Sequence, residues 1–262
     1  DHTTFSAPPT CAENVTLFDH SCFVKFAVDG PDACTVLNHV CANDVDVPLG
    51  KIVYSQWLNG NGGIEADVTV TRLTETSYLV VTISTSQRRD FAWLRRHVPA
   101  DAKVFIRDMS SGLPMLALMG PKSRALLQAA SPADFSNEAF PFGTSKEIDL
   151  GYARVRASRV TFVGELGWEI YMPAEFAAHV FDRLTEAGEP FGLRHGGFFA
   201  LNSLRMEKGY RHWGHDIGEE DTPIQAGLSF AVAYDKPGGF IGRDALLKQK
   251  ELGVPNRRLV QF

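Results

Sequence analysis

The stretch KIVYSQWLNGNGGIEADVTVTRL, residues 51–73, holds two extended runs on either side of a glycine-rich turn. Lys51 to Leu58 reads as a strand, rich in the β-branched and aromatic side chains that suit a pleated surface. Asn59-Gly60-Asn61-Gly62-Gly63 is a strong turn signal, because Asn and Gly tolerate the positive φ values of tight hairpins. Asp67 to Leu73 then alternates with the period of a half-buried strand. No helix N-terminus follows these glycines, so they do not read as a phosphate cradle.

Reading outward keeps the same character. Val24 to Val28 alternates as a strand, and Gly30-Pro31-Asp32 opens a helix to about Val40. Tyr78 to Ile83 reads as a third strand of the hairpin region. A helix over Ser86 to His97 carries Phe91, Leu94 and Val98 on one stripe, and Val104 to Arg107 closes the series. Strand–helix–strand–strand–strand–helix–strand predicts an α+β sandwich with helices on one sheet face.

A second half begins with the apolar run Leu116–Met119. A helix from Gly120-Pro121 to Ala130 is expected, then strands over Tyr152 to Val160 and Trp168 to Met172. Ala174 to Ala187 and Phe198 to about Tyr210 read as helices, Ile217 to Thr222 as an acidic loop, and Arg243 to Leu252 as the last helix. Residues 1–14 read as a loose lead-in. Arg257–Phe262 reads as the start of a further strand. The chain begins at Asp1, not Met, and reads as a piece of something longer.

Composition narrows the function. Of 262 residues, 44% are hydrophobic and 22% charged, which excludes a disordered, collagen-like or coiled-coil chain. The net charge of −5 offers no general basic field for nucleic acid. No apolar run approaches the roughly 20 residues that span a bilayer. Cys11, Cys22, Cys34 and Cys41 form no CxxC pair and read as reduced, mostly buried thiols. The scattered histidines give no metal set. No dinucleotide, nucleotide, zinc-protease or serine-hydrolase signature is present.

What remains are polar residues at strand and turn junctions. Asp67 reads either as a turn-capping residue that opens its strand or as a partly buried carboxylate with a tuned pKa. Glu169, within Trp168-Glu169-Ile170-Tyr171, must face solvent or be paired, because a lone buried charge is costly. Arg205, among Leu201, Leu204 and Met206, reads as a solvated helical side chain.

The same residues carry a family pattern. Gly164-Glu165-Leu166-Gly167-Trp168-Glu169-Ile170-Tyr171 resembles the GELGWE-type signature of folate-dependent aminomethyltransferases. Ser203-Leu204-Arg205-Met206-Glu207-Lys208-Gly209-Tyr210-Arg211 with Trp213-Gly214 continues the resemblance. So do Thr222–Leu228, Phe240–Leu246, Leu17-Phe18-Asp19, Tyr54–Asn59, Met119-Gly120-Pro121 and Gly62-Gly63-Ile64-Glu65-Ala66-Asp67. The glycine-cleavage T-protein belongs to this family. Within it the chain looks like the C-terminal folate half of dimethylglycine dehydrogenase, dimethylglycine oxidase and sarcosine dehydrogenase. The resemblance covers roughly residues 15–262, and several motifs in one order make it specific.

The resemblance implies a folate-binding fold with a ferredoxin-like sub-domain, spanning residues 15–256 as two α+β lobes. It implies that 257–262 begin a small C-terminal barrel lobe that is largely missing. It implies tetrahydrofolate as cofactor and Asp67 as the catalytic carboxylate. Glu169 would hold the pterin's N–H edge, and Tyr54, Arg205, Phe162 and Trp213 would lie near the folate. The donor would be a small methylated amine: dimethylglycine, sarcosine or a glycine-derived aminomethyl group. Any oxidation would fall to a flavin-dependent oxidoreductase domain or subunit, since nothing here resembles a dinucleotide-binding βαβ unit. A cytoplasmic setting is expected, or the mitochondrial matrix in a eukaryote. Two departures stand out: Phe162 replaces a Tyr, and Gln225 replaces a Glu before the small-Gly-Leu element. Three functions therefore stay open: a one-carbon transferase, a folate-dependent demethylase of another donor, or a non-catalytic folate-binding module.

Overall fold

A computed structural model of the chain describes residues 11–253, 255 and 257–261. The elements run β1 (Val15–Asp19), β2 (Val24–Asp29), α1 (Ala33–Val40), β3 (Ile52–Leu58), β4 (Ile64–Thr74) and β5 (Ser77–Thr82). Then come α2 (Gln87–Arg96), β6 (Phe105–Asp108), β7 (Met115–Met119), α3 (Ser123–Ala130), β8 (Ser145–Leu150), β9 (Ala153–Ser158) and β10 (Gly167–Tyr171). The last are α4 (Ala177–Gly188), β11 (Leu193–Gly196), α5 (Phe198–Glu207) and α6 (Arg243–Glu251). The α+β class expected from the sequence is the one observed.

These elements fall into two compact units. One joins the residues up to Phe23 with Ser110–Tyr210; the other joins Val24–Met109 with the residues from Arg211 onward. The break expected near Leu116 is thus replaced by an interleaved chain, because β1 pairs with β7 and β11 and not with its neighbour β2.

In the Val24–Met109 unit the sheet order is β3-β4-β5-β2-β6, with every neighbouring pair antiparallel. Without edge strand β3, the β2-α1-β4-β5-α2-β6 path has the βαββαβ order of the ferredoxin-like motif. Val53, Trp57, Ala66, Val68 and Val70 turn to one face, where they pack with Leu37, Val40, Phe91 and Leu94 of the helices. The opposite face carries Tyr54 and Leu58 against Ile217, Ala226, Leu228 and Leu246 of the C-terminal segment.

The other unit repeats the plan. Its sheet order is β11-β1-β7-β10-β9-β8. The path β7-α3-β8-β9-β10-α4-β11 has the same element order as β2 to β6, with β1 inserted between β7 and β11. Helices α3 and α4 bury Leu126, Leu127, Val180 and Leu184 against Leu118, Val155, Trp168 and Ile170. The reverse face carries Phe18, Ala117 and Met119 against Ala200, Leu201 and Leu204 of α5.

Three strands had no counterpart in the sequence reading, β1, β8 and β11, and the apolar run Leu116–Met119 is a fourth, β7. Residues 1–10 of the expected lead-in lie outside the described residues; residues 11–13 are helical and Cys11 is buried. Residues 257–261 form no strand. There, the Leu259 N–H donates to Gln225 O at 2.9 Å and Arg257 pairs with Asp221. All four cysteines are free thiols; Cys11 and Cys41 are buried, Cys34 is half-buried and Cys22 is exposed. Among the described residues no helix is long and apolar enough to cross a membrane.

Candidate functional site

The β3–β4 hairpin builds one constellation. Its register sets Gln56 directly opposite Asp67 and Tyr54 opposite Thr69. Strand alternation puts Tyr54, Gln56 and Asp67 on the face away from the helices. Tyr54 Oη donates to Asp67 Oδ2 at 2.9 Å, and Gln56 Nε2 donates to Asp67 Oδ1 at 2.9 Å. Each carboxylate oxygen thus has its own donor.

Asp67 does not open its strand. The strand begins at Ile64, and the turn-capping work belongs to Asn59, whose Oδ1 accepts the N–H groups of Asn61 and Gly63 at 3.0 Å each. Gly62 has φ +83°, and a Cβ at Gly63 would run into the Glu219 carbonyl, so the turn requires both glycines. Released from capping, Asp67 sits mid-strand in dense surroundings. Burial pushes its carboxyl up to about 6, against the pull of the Gln56 and Tyr54 hydrogen bonds and the positive charge of Arg211. Burial and the Asp67 charge hold the Tyr54 phenol well above its ordinary value, so it stays a donor. Arg211 is anchored through Nε to Ala226 O at 3.0 Å. A carboxylate that titrates near neutrality between fixed donors can exchange a proton at physiological pH.

Trp213 belongs to this unit and pins a loop onto β4. Its indole N–H donates to Ile64 O at 2.8 Å, and the Arg89 guanidinium lies 4.5 Å from its ring centre. Arg89 in turn pairs with Glu65 and, at 3.2 Å, with Glu219.

In the other unit, Glu169 lies in β10 opposite Ala117 and Ser158, on the α5 side of the sheet. It is half-buried and paired, accepting from Tyr171 Oη at 2.6 Å. Burial, then the Glu169 charge, raises the Tyr171 phenol well above its ordinary value. Arg205 is 3% exposed, which removes the reading of a solvated helical side chain. Its Nε and Nη2 donate to Asn202 Oδ1 at 2.9 and 2.6 Å, and Nη1 to Tyr210 O at 3.0 Å. Phe162 meets Tyr210 edge-on, at 6.2 Å between ring centres and 83°.

The structure therefore joins Tyr54 and Asp67 directly. Three residues that no sequence signal had singled out complete the pairings: Gln56, Arg211 and Tyr171. Gln56 could have been found from hairpin register, and Tyr171 from its place two residues beyond Glu169 on one strand face. Arg211, quoted only as the end of a family motif, lies 144 positions along the chain from the carboxylate whose charge it favours.

The Gln225 departure falls on a turn. Its Oε1 accepts the Thr222 N–H at 3.0 Å, and Thr222 Oγ1 accepts the Gln225 N–H at 3.3 Å, a reciprocal capping box. Glu and Gln serve that role alike. Gln225→Glu is expected to change stability by no more than about 0.5 kcal/mol, and Gln225→Ala to lose about 1 kcal/mol, both read from urea unfolding curves.

Comparison with known proteins gives consistent findings. The family described as the GCVT N-terminal domain matches residues 9–236. The 4-methylaminobutanoate oxidase (formaldehyde-forming) of Paenarthrobacter nicotinovorans is 49% identical over 238 residues, which cover 90% of this chain and 28% of that protein. Human mitochondrial sarcosine dehydrogenase is 37% identical over 287 residues, covering 100% of this chain and 31% of that protein. The crystal structure of the glycine cleavage system aminomethyltransferase T from Bartonella henselae superposes with a TM-score of 0.84 at 29% identity, covering 95% of this chain and 67% of that one. The chain thus spans less than a third of the length of the two curated relatives.

Proposed function

Because the chain belongs to the GCVT N-terminal domain family, we propose that it transfers a one-carbon unit from a methylated amine to tetrahydrofolate, with Asp67 as the proton acceptor. The observation that carries this reading is the Asp67 carboxylate, held by two donors and titrating close to neutrality.

The chemistry suits these residues. Oxidation of an N-methyl group leaves an electrophilic iminium carbon. Bound tetrahydrofolate would supply two secondary amine nitrogens to that carbon; the demethylated donor amine would leave with one of their protons and the other would be released. Asp67 accepts the proton, and its negative charge favours the cationic carbon beforehand. Tyr54 Oη and Gln56 Nε2 keep the carboxylate in one orientation. Glu169, half-buried in β10, offers the acceptor oxygens that an N–H edge of the pterin requires. Arg205, Phe162 and Trp213 remain residues proposed to lie near the folate, with Arg205 fixed by Asn202 and Tyr210.

The donor we propose is an N-methylated amino acid. One relative is named as forming formaldehyde from 4-methylaminobutanoate, and another as a sarcosine dehydrogenase. Formaldehyde and a methylene bridge between two folate nitrogens stand at the same oxidation level, so folate would capture what otherwise leaves as formaldehyde. The two-electron oxidation itself belongs, on this reading, to a flavin-dependent oxidoreductase domain or subunit.

Titration calorimetry with tetrahydrofolate tests the binding. The native chain is expected to bind, and Glu169→Gln to bind about tenfold more weakly, the equivalent of about 1.4 kcal/mol for one charge-assisted hydrogen bond. Absence of heat with the native chain, at any donor concentration, would overturn the assignment.

A further inference from the structure

We propose that Gln56 is a positioning residue whose side-chain amide serves Asp67 in both protonation states: Nε2 donates to the carboxylate, and after the amide turns over Oε1 accepts from the carboxylic acid. The inference rests on the reading of Asp67 as the proton acceptor.

The geometry supplies the reason. Gln56 is 0% exposed and faces Asp67 across the hairpin, with Nε2 on Oδ1. Its Oε1 is buried and finds no hydrogen-bond partner. A glutamine kept only to brace the sheet would be expected to satisfy both ends of its amide, because a buried polar atom left unmade is unfavourable. Here one end holds the carboxylate and the other is held in reserve.

A proton arriving at Asp67 creates a new donor. Tyr54 Oη, on Oδ2, is itself a donor, and burial together with the Asp67 charge keeps its proton in place. Were the new proton on Oδ2, the phenol would need another acceptor. On Oδ1 the proton meets Gln56 Nε2, donor against donor. A half-turn of the terminal amide exchanges nitrogen for oxygen at nearly the same point, because the two atoms are close to isosteric. The O–H then donates to Oε1, and no strand has to move. The groups that set the field at Asp67 are Tyr54 from β3 and the Arg211 guanidinium from the segment after α5; the guanidinium has no acceptor, and Tyr54 Oη lies on Oδ2, away from a proton on Oδ1.

The test uses the whole chain, labelled with 13C and 15N. In the native protein, the Gln56 side-chain amide resonances are expected to move with pH at the same midpoint as the Asp67 carboxyl carbon. Gln56→Met removes both donor and acceptor at similar volume. The lost Nε2 bond to a charge outweighs the lost bond to a neutral acid, so the Asp67 midpoint is expected to rise by about one pH unit. The acid limb of the transfer rate should shift with it, while KM for tetrahydrofolate stays within about twofold, the pattern for loss of a transition-state contribution. Gln56 resonances that stay still while Asp67 titrates would overturn the proposal, as would a Gln56→Met midpoint equal to the native one. If the variant does not fold, the native titration decides alone. Coupled titration in a chain that shows no transfer would uphold the amide's role and sink the transferase reading, so the two failures are distinct.

Discussion

Asp67→Asn is expected to slow one-carbon transfer by about 10²–10⁴-fold and, in the same variant, to make the protein more stable above pH 6. The stability half follows from the direction of the titration. The folded carboxyl titrates at about 6, above the ordinary 3.8, because burial disfavours its charge. Its contribution to stability is therefore fully present below about pH 4 and is lost as pH rises through 6. At pH 8 the carboxylate costs at most about 3 kcal/mol, and less once its partial access to water is counted. Asn carries no charge, and its amide oxygen still accepts from Tyr54 or Gln56. Urea unfolding at pH 4 and pH 8 measures the effect: near-equal stability at pH 4, and a gain of about 1–2 kcal/mol for the variant at pH 8. An identical difference at both values would mean that the Asp67 charge is not under strain in the fold.

Trp168→Ala is expected to cost about 3–5 kcal/mol, the range for emptying a large aromatic site in a core. Trp168 is 0% exposed in the strand that also carries Glu169. Phe135 and Phe140 meet it edge-on at 5.6 and 6.0 Å, and Arg124 and Arg159 each lie 5.5 Å from its ring. Domain stabilities run to only about 5–15 kcal/mol, so the loss is a large part of the whole. Trp168→Phe should cost far less, because the indole N–H finds no hydrogen-bond partner and no bond is lost with it. Unfolding midpoints that order the variants native, Phe, Ala would bear this out; equal losses for Phe and Ala would show that the indole edge matters more than the volume.

How much of this was legible differs by element. The path from Val24 to Asp108 reads directly, because alternating strands and the Asn59–Gly63 turn are local signals. β1 escaped because four of its five residues are buried, so it shows no polar alternation, and its partners lie far along the chain. β8 reads Ser-Lys-Glu-Ile-Asp-Leu, an edge strand so charged that its sequence resembles a loop. β11 is four residues ending in Gly196, too short for a period to register.

The site divides the same way. Asp67 was found through its family motif, but it was read as opening a strand that in fact begins at Ile64, since a carboxylate after glycines looks like a cap. Arg205 looked solvated because helix periodicity marks a face and not a partner. Asn202, one turn earlier, and the Tyr210 carbonyl are what allow the guanidinium to be buried. Gln56 was quoted within a motif yet given no role, because its meaning depends on which residue the hairpin sets opposite it.

The insertion of β1 between β7 and β11 has a consequence in time. On a ribosome adding about 5–20 residues per second, β1 emerges about 5–20 seconds before β7 is made, and roughly twice as long before β11. Its first edge partner, Met119, and its second, Leu193, define that wait. Through it, β2 to β6 can assemble from neighbouring segments alone, while Val15, Leu17 and Phe18 stay uncovered. Synthesis thus orders the two sheets, the interior one first and the one begun earliest last. A nascent chain paused before Leu193 would present β1 with one edge still open.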